Sequence, residues 1–291
     1  MVYYLGVDAG GTSSKSRLID GNGAILGEGK AGPANARIGT EELYETLLDV
    51  CRQATDQAGL GAEDIATIRC GMGIAGINRM GMKQKLQTLT FPFAHVIFSS
   101  DSVIANLGAH RGGDGAILIL GTGSVGLIKR GEDSSSVGGY GFPISDEGSG
   151  AALGLSAIRH ALRALDGRTR PTPLSKAITK QFDHAIPRVI DWMDDAAPGD
   201  YAAFAPLVMD YAENGDEIAV SIVTDAALHV ERFIETILAR GATRCVLMGG
   251  LAERMKPWLK QRIVARLEAP MGDALDGALI LAGYPMPPQE G

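Results

Sequence analysis

Two short segments rich in glycine and hydroxyl-bearing residues each lie between stretches that are typical of β-strands. The first, Gly10-Gly11-Thr12-Ser13, follows Asp8, and the second is Gly121-Thr122-Gly123-Ser124. Glycine lets a backbone approach a ligand closely, and successive N–H groups in such turns can bind an anion. Asp8 ends its strand, where a carboxylate can hold Mg²⁺ directly or through water. Each turn alone fits an ordinary hairpin, but two in one chain favour phosphate binding from both sides.

Two aspartates and a glycine pair occupy similar places beside predicted strands. Asp101 follows the strand 96–99 and either caps the next helix or accepts the proton of a hydroxyl that attacks a phosphoryl group. Asp146, after the segment 138–141, either caps a helix or accepts hydrogen bonds from sugar hydroxyls. Gly249-Gly250 either forms a tight βα turn or lets a nucleoside lie on the backbone.

The elements that must position these residues begin with an antiparallel meander. Strands are predicted at 2–7, 14–19 and 24–30, with a turn at 20–23, and Thr40 is the expected N-cap of a helix. A strand, a Gly/Thr/Ser turn and a returning strand recur at 116–129, which indicates duplicated domains. The later part is predicted to be mostly helical, with helices at 149–165, 201–214, 218–240, 256–267 and 274–282.

Composition narrows the class of protein. The 291 residues suit two domains, and 45% hydrophobic with 21% charged residues is typical of a soluble globular protein. The net charge of −7 without a Lys/Arg cluster argues against a nucleic-acid partner. No apolar run of 18 residues or signal peptide pattern is found, so neither a membrane span nor secretion is expected.

The pattern of cysteines, and the absence of the common nucleotide-binding motifs, argue against several other classes of protein. The chain has three cysteines, Cys51, Cys70 and Cys245, an odd number that does not suggest a disulfide framework. Each lies among apolar residues, so we expect buried free thiols and a reducing cytoplasm. The P-loop pattern Gly-x-x-x-x-Gly-Lys-Ser/Thr is missing, and the first glycine turn precedes a strand, unlike the dinucleotide fingerprint. The five histidines form no metal-binding pair.

The ordered motifs together resemble a known family. The chain resembles the α/β, ribonuclease H-like fold of the actin/hexokinase/Hsp70 ATPases in the order and spacing of its motifs. These motifs are the segments 8–12, 121–124, 146–149 and 249–250, together with Asp101. Within it the chain is similar to the N-acetylglucosamine kinase branch, most of all to bacterial glucosamine kinases, through 32–35, 142–146 and 276–279. The resemblance implies two similar domains with a central cleft: 1–112 on the sugar and first phosphate side, and 113–291 on the second phosphate and adenosine side.

The resemblance also implies a role for each matching residue. Asp101 is the implied catalytic base, and Asp8 is the implied Mg²⁺ ligand, either directly or through water. The implied ATP phosphate contacts are Gly10, Gly11, Thr12, Ser13, Gly121, Thr122 and Gly123. The implied adenosine contacts are Gly249, Gly250, Leu251, Ala252 and Glu253, and the implied sugar contacts are Asn35, Asp101, Ser124, Gly139, Tyr140, Gly141 and Asp146.

Two residues depart from the related pattern. Ala9 stands where relatives usually have glycine, which we expect to do little harm unless φ is positive there. Tyr140 stands where some relatives have tryptophan, a difference that we expect to bear on the choice of sugar.

The implied activity is ATP- and Mg²⁺-dependent phosphorylation of D-glucosamine at its 6-hydroxyl, in the cytoplasm. N-acetylglucosamine is the alternative substrate, since one pocket loop can decide between the two. An ATPase that drives electron transfer would need paired cysteines for an iron–sulfur cluster, and this sequence lacks them. A non-catalytic sugar sensor is disfavoured by Asp101 and both phosphate turns. A homodimer is implied by the resemblance alone.

Overall fold

The computed structural model describes residues 2–34 and 39–287. The chain divides into two compact units: unit 1 combines Met1–Gly115 with the segment from Ala269 onward, and unit 2 is Ala116–Glu268. The sequence-based division assigned everything after residue 112 to the second domain. The structure differs in that the last helix, Ala274–Leu281, packs with the elements of unit 1.

Unit 1 contains a mixed five-stranded sheet. Its spatial order is β3-β2-β1-β4-β5. β2 is antiparallel to β1 and β3, whereas β1, β4 and β5 run parallel. The strands are β1 (Tyr3–Ala9), β2 (Ser14–Asp20), β3 (Ile25–Ala31), β4 (Arg69–Ile74) and β5 (His95–Ser100).

Helices cover both faces of this sheet. α1 contributes buried Leu43, Leu47 and Cys51 to the core on one face, as its helical spacing predicted. The expected N-cap Thr40 is wrong by one position: Gly39 is the N-cap, and Thr40 begins the helix. The helices of unit 1 are α1 (Thr40–Gln57), α2 (Ala62–Ile65), α3 (Met82–Gln87), α4 (Asp101–Ala109) and, from the end of the chain, α13 (Ala274–Leu281).

α4 and α13 approach each other at two glycines. A Cβ on Gly108 would lie 1.7 Å from the Asp273 carbonyl oxygen, and a Cβ on Gly277 would lie 1.7 Å from the Ile104 carbonyl oxygen. No larger residue fits between these backbones without moving them. This contact holds α13 against α4, whose first residue is Asp101.

Unit 2 contains a second five-stranded sheet, ordered β10-β9-β6-β7-β8. β6, β9 and β10 run parallel, and β7 is antiparallel to β8. The order repeats that of unit 1, since three consecutive strands are followed by two parallel ones, and the predicted duplication is confirmed. The strands are β6 (Gly115–Leu120), β7 (Ser124–Arg130), β8 (Asp133–Gly138), β9 (Cys245–Met248) and β10 (Leu267–Glu268).

The helices of unit 2 share one large apolar core with this sheet. Two predicted helices are each interrupted. The segment 201–214 contains the end of one helix and the whole of a second, and the second has proline in its first turn. The segment 256–267 contains a 3₁₀ turn at Lys256–Trp258 and one short helix in place of the predicted continuous helix. The helices are α5 (Gly150–Leu165), α6 (Pro173–Lys180), α7 (Ile186–Asp195), α8 (Pro198–Ala202), α9 (Ala205–Glu213), α10 (Glu217–Ala239), α11 (Ala252–Met255) and α12 (Gln261–Val264).

Two further expectations concern the thiols and the membrane. Cys51, Cys70 and Cys245 are free and buried, which confirms the prediction for all three. Across residues 2–34 and 39–287, none of the helices combines the length and apolarity that crossing a bilayer requires.

Candidate active site

In unit 1, Asp8 and Asp101 lie at the same edge of the sheet. The parallel register aligns Ala9 of β1 with Ile74 of β4, and Ile74 with Ser100 of β5. Asp8 therefore lies one residue before this level, and Asp101 one residue after it. Carboxyl ends of parallel strands are the usual place for ligand-binding groups in α/β folds, and the two predicted carboxylates are brought together here.

The pKa of Asp8 is raised from 3.8 to about 6. Burial is the main cause, the nearby Asp101 carboxylate adds to it, and the positive charge of Lys15 acts in the opposite direction. An ionised Asp8 thus lacks a sufficient cationic partner within unit 1. A bound cation would offset the negative charge of this buried carboxylate.

Asp8→Asn is expected to stabilise the protein in the absence of ligands. Because the folded-state pKa of Asp8 is raised, its proton stabilises the folded state at low pH, and this stability is lost as pH rises from about 4 through about 6. A shift of two units corresponds to about 3 kcal/mol, so the neutral variant should gain about 1–3 kcal/mol at pH 7.5 and little at pH 4. Urea unfolding at both pH values measures this, and an unchanged or lower stability at pH 7.5 would contradict it.

Asp101 occupies the first position of α4. Ser100, rather than Asp101, is the N-cap, because its hydroxyl accepts a hydrogen bond from the Val103 N–H at 3.2 Å. The Asp101 carboxylate accepts one from the Ser102 N–H at 2.8 Å. Burial raises the pKa of Asp101, and this backbone hydrogen bond opposes the shift. The capping role is thus filled by a neighbour, which leaves Asp101 available for chemistry.

The first glycine turn joins β1 to β2. The Gly10 N–H donates to the Ser13 carbonyl at 3.1 Å, and the Gly10 carbonyl accepts from the Ala34 N–H at 3.0 Å. Gly11 and Thr12 are exposed, and a Cβ on Gly11 would meet nothing within 4 Å. The preceding Ala9 lies in a regular strand and has no positive φ, so the departure from glycine is accommodated.

The second glycine turn joins β6 to β7 in unit 2. Its carbonyl groups anchor the start of α5, since Gly121 accepts from the Gly150 N–H at 2.8 Å and Thr122 from the Ala151 N–H at 3.1 Å. The Ser124 hydroxyl donates to the Glu147 carbonyl at 2.8 Å. The turn is therefore held in place by the loop that contains Asp146.

Asp146 lies beside this turn, in a conformation that is unusual for a non-glycine residue. Its φ is +70°, and its carboxylate is so close to Gly123 that a Cβ there would lie 2.9 Å from Oδ2. Burial raises the pKa of Asp146, the charge of Glu147 raises it further, and backbone N–H groups at Ser124, Phe142 and Gly141 oppose the shift. Ser149, and not Asp146, is the N-cap of α5.

Glu147 is a carboxylate for which the sequence suggested no role. Its Oε2 accepts from the Ser145 hydroxyl at 3.3 Å. Within the part of the chain that the structure describes, neither Asp146 nor Glu147 forms an ion pair with Lys, Arg or His. In the same loop, Gly139 and Gly141 have φ of +75° and +103°, and Tyr140 is 82% exposed. The loop thus presents an aromatic ring and two carboxylates without a cationic partner.

The glycine pair after β9 forms a tight turn against the end of β6. Gly249 has φ of +98°, and a Cβ there would lie 2.3 Å from the Leu120 carbonyl oxygen. A Cβ on Gly250 would meet nothing within 4 Å. Leu251 and Ala252 are buried, and the Glu253 carboxylate is exposed and pairs with Lys256 at 2.6 Å. The open backbone at Gly250 therefore lies next to the glycine turn at 121–123.

The predicted site residues thus form one group in unit 1 and another in unit 2. Asn35, a predicted sugar contact, lies outside the described residues. Asp8 suits the implied Mg²⁺, since carboxylate oxygen is the donor that this ion prefers and the carboxylate lacks a strong cationic partner. Groups of three or more potential metal ligands do not occur among residues 2–34 and 39–287, so Mg²⁺ would need oxygen ligands from phosphate and water as well.

Comparison with known proteins places the chain in a family. Residues 5–281 match the BadF/BadG/BcrA/BcrD ATPase family. The chain belongs to this family. Glucosamine kinase GspK from Vibrio cholerae is 38% identical over 285 residues, which cover 98% of this chain and 97% of that protein.

Solved structures of sugar kinases share the fold. The crystal structure of a proposed N-acetylglucosamine kinase from Chromobacterium violaceum superposes with a TM-score of 0.91 at 31% identity, over 97% of this chain and 99% of that one. A glucokinase of the ROK family from Streptomyces griseus superposes with a TM-score of 0.57 at 18% identity, over 97% and 98% of the two chains. The actin/hexokinase ATPase fold inferred from the motifs is confirmed.

Proposed function

We propose that this protein transfers the γ-phosphoryl group of ATP to the 6-hydroxyl of D-glucosamine. The observation that carries this proposal is the 38% identity to a glucosamine kinase over nearly the whole of both chains. The proposal extends to a reducing, ATP-containing compartment such as the cytoplasm, in line with three buried free thiols. A homodimer stays a prediction.

In unit 1, Asp101 is proposed to orient the sugar 6-hydroxyl and accept its proton as the oxygen attacks phosphorus. Its raised pKa is useful here, because a base works best when its pKa is nearer the working pH. The turn Gly10–Ser13 is proposed to donate backbone and hydroxyl hydrogen bonds to phosphate oxygens. Asp8 would hold Mg²⁺ there, and the ion when bound supplies positive charge that offsets the phosphates.

In unit 2, the turn Gly121–Gly123 is proposed to bind phosphate, and Gly250 to lie against the adenosine. Its glycine turn is anchored through two backbone hydrogen bonds to the first residues of α5. Such anchoring positions donors before the ligand arrives, which is how fixed dipoles favour phosphoryl transfer. Asp146 and Tyr140 are proposed to contact the sugar.

The carboxylates of Asp146 and Glu147 favour glucosamine over its N-acetylated form. Glucosamine carries a cationic ammonium group at C2, whereas N-acetylglucosamine carries a neutral acetamide. Because the described structure offers these carboxylates no cationic side chain, an ammonium group would relieve their mutual repulsion. N-acetylglucosamine is nevertheless the second candidate, supported by the Chromobacterium violaceum structure at 31% identity.

Glu147→Gln is expected to weaken the preference for glucosamine. Loss of one negative charge should raise KM for glucosamine about 10-fold, which is about 1.4 kcal/mol of binding, and leave KM for N-acetylglucosamine within about 2-fold. Glu45→Gln, a change of the same kind at an exposed carboxylate of α1, serves as the control for lost charge. Equal effects of Glu147→Gln on both sugars would contradict the assignment.

The position of phosphorylation is tested with 6-deoxyglucosamine. This analogue keeps the amine but lacks the proposed acceptor, so it should inhibit competitively and yield no phosphorylated product. Phosphorus NMR of the glucosamine product should show a phosphate coupled to the C6 protons. Phosphorylation of the 6-deoxy analogue would overturn the proposed acceptor.

A further inference from the structure

A groove of about 820 Å³ lies on the surface of unit 2, along the exposed face of α6. A smaller cavity of about 480 Å³ adjoins it and shares two of its residues. Both volumes are typical of small-molecule sites, which range over about 300–1,000 Å³. The groove is lined from α6, from the residues just after it and from α9, by Pro173, Lys176, Ala177, Lys180, His184 and Tyr211. None of these residues belongs to the candidate active site, so the proposed reaction does not use the groove.

The groove has three basic side chains, and the described residues that line it include no aspartate or glutamate. Lys176 and Lys180 are one helical turn apart, so their side chains are neighbours on the surface of α6. Both are exposed, and neither forms an ion pair within residues 2–34 and 39–287. Like charges at this spacing destabilise a helix. An anion bound between the two ammonium groups would remove that cost.

Acidic side chains on the neighbouring segments have other partners. Asp183 pairs with Arg188 just after α6. On α9, Asp210 and Glu213 both pair with Arg254, at 2.8 Å and 2.9 Å. These acidic groups are therefore not paired with the lysines of the groove. In a chain whose net charge is −7, the groove is a local concentration of positive charge.

A buried carboxylate fixes the helix that carries the two lysines. Asp216 Oδ2 accepts the Leu174 N–H at 2.9 Å, in the first turn of α6. Its Oδ1 accepts the Ile218 and Ala219 N–H groups, both at 3.0 Å, at the start of α10. The start of α6 is thus tied to α10, and the lysines project from a helix whose position is set before a ligand binds. Such preorganisation lowers the entropic cost of binding.

His184 is oriented by its neighbours at the end of α6. Its backbone has φ of +56°, and its N–H donates to the Thr179 carbonyl at 2.8 Å. The His184 Nδ1 lies 2.9 Å from the Thr179 hydroxyl. These contacts fix the imidazole and leave its Nε2 for a hydrogen bond to a ligand in the groove.

We propose that this groove binds the phosphate monoester of a sugar. Lys176, Lys180 and His184 contact the phosphoryl group, which carries a charge of about −1.5 to −2 at pH 7. The sugar ring packs on Pro173 and on Tyr211, a half-buried aromatic side chain with an apolar body and a polar tip. The phosphoryl part of this inference rests on the groove alone. The sugar part rests on the proposed function, whose product is a compound of this class.

The test follows the ring signals of His184 by NMR in the full chain while glucosamine 6-phosphate is added. A His184→Gln variant assigns these signals. They should shift saturably, with half-saturation on the order of 0.1–1 mM. Because the ring lies in the groove, the signals report on binding there. Absence of a saturable shift would overturn the site.

A double variant, Lys176→Met/Lys180→Met, should weaken this binding about 10-fold. Methionine is a good helix former and its introduction removes the like-charge pair, so the Tm should equal or exceed that of wild type. The matched control is Arg159→Met/Arg163→Met, which removes two exposed cations one turn apart on α5 of the same unit. This control should change the affinity by less than about 2-fold. Equal losses in the two double variants would overturn the phosphoryl contact.

The sugar part is tested by Tyr211→Leu and by two further ligands. Since leucine keeps an apolar side chain but lacks the ring, Tyr211→Leu should weaken glucosamine 6-phosphate binding about 5-fold and leave inorganic phosphate within about 2-fold. In wild type, inorganic phosphate and ADP should each bind at least about 5-fold more weakly than glucosamine 6-phosphate. Equal or tighter binding of either ligand would overturn the sugar assignment.

The outcomes distinguish this inference from the proposed function. Protein that phosphorylates no amino sugar would overturn the proposed function, and the shift at His184 would still decide whether the groove binds phosphate. Protein that phosphorylates glucosamine but shows no shift at His184 would keep the proposed function and overturn the groove as a binding site.

Discussion

Asp101→Asn is expected to lower kcat for glucosamine by about 10²–10⁴-fold, the range for loss of a general base. Asparagine keeps the shape of the side chain and an oxygen for the 2.8 Å hydrogen bond from the Ser102 N–H, but it cannot accept the sugar proton. Since Ser100 caps α4, the start of this helix should be undisturbed. Steady-state kinetics with glucosamine measures the effect.

Two comparisons make this result specific. The affinity for an ATP analogue should stay within about 3-fold, because the substitution leaves both glycine turns untouched. Asp56→Asn, at an exposed position of α1, makes the same chemical change away from the strand ends and should keep full activity. Turnover of Asp101→Asn within about 10-fold of wild type would contradict the base assignment.

Gly249→Ala and Gly250→Ala are expected to act in different ways although they are neighbours. At Gly249, the added Cβ meets the Leu120 carbonyl oxygen, and φ is +98°. That oxygen also accepts the Leu251 N–H at 3.1 Å, so relieving the clash would disturb this hydrogen bond. The free energy of unfolding of Gly249→Ala should therefore fall by about 2–4 kcal/mol.

Gly250→Ala should keep the fold but weaken ATP binding. The added Cβ meets no protein atom within 4 Å, so the free energy of unfolding should change by less than about 1 kcal/mol. If adenosine lies against this backbone, the methyl group should raise KM for ATP about 10-fold. Urea unfolding and ATP titrations on both variants measure the contrast. Unchanged KM for ATP in Gly250→Ala would contradict the adenosine placement, and unchanged stability of Gly249→Ala would contradict the backbone clash.

Much of the fold could be predicted because local patterns and global structure agree. The helical spacing of α1 predicted its buried face, and the alternation in β4 predicted which of its residues share a core with α1. The recurring strand–turn–strand pattern at 116–129 indicated the duplicated sheet, whose strand order repeats that of unit 1. The turn residues 10–13 and Asp101 followed from these strands, because their placement needs only the end of each strand.

Other elements could not be predicted from local sequence patterns, because their conformation depends on tertiary contacts or on a proline. β8 contains Asp-Ser-Ser-Ser at exposed positions, so no apolar alternation marks it as a strand. The apolar spacing of 256–267 continued across Pro257, where the chain forms a 3₁₀ turn instead of a helix. The C-terminal α13 joins unit 1 through the close approach of Gly108 and Gly277, a contact between segments far apart in sequence.

The sequence could place the candidate site residues at strand ends and in turns, but it could not predict the electrostatics around them. The positive φ of Asp146 and the nearness of Glu147 arise from the folded loop around Ser145. Lys15 is different, since the four-residue turn between Ala9 and Ser14 already pairs it with Asp8. A hairpin register drawn from the sequence would therefore have placed Lys15 beside the proposed metal ligand.

The central claim is tested most directly by kcat/KM for glucosamine, N-acetylglucosamine and glucose with ATP and Mg²⁺, measured side by side in a coupled ATP-consumption assay. Glucosamine should be preferred over both of the others by at least about 10-fold, since one charge interaction at C2 is worth about 1.4 kcal/mol or more. A preference for N-acetylglucosamine, or equal use of glucosamine and glucose, would contradict the proposal that this protein is a glucosamine kinase.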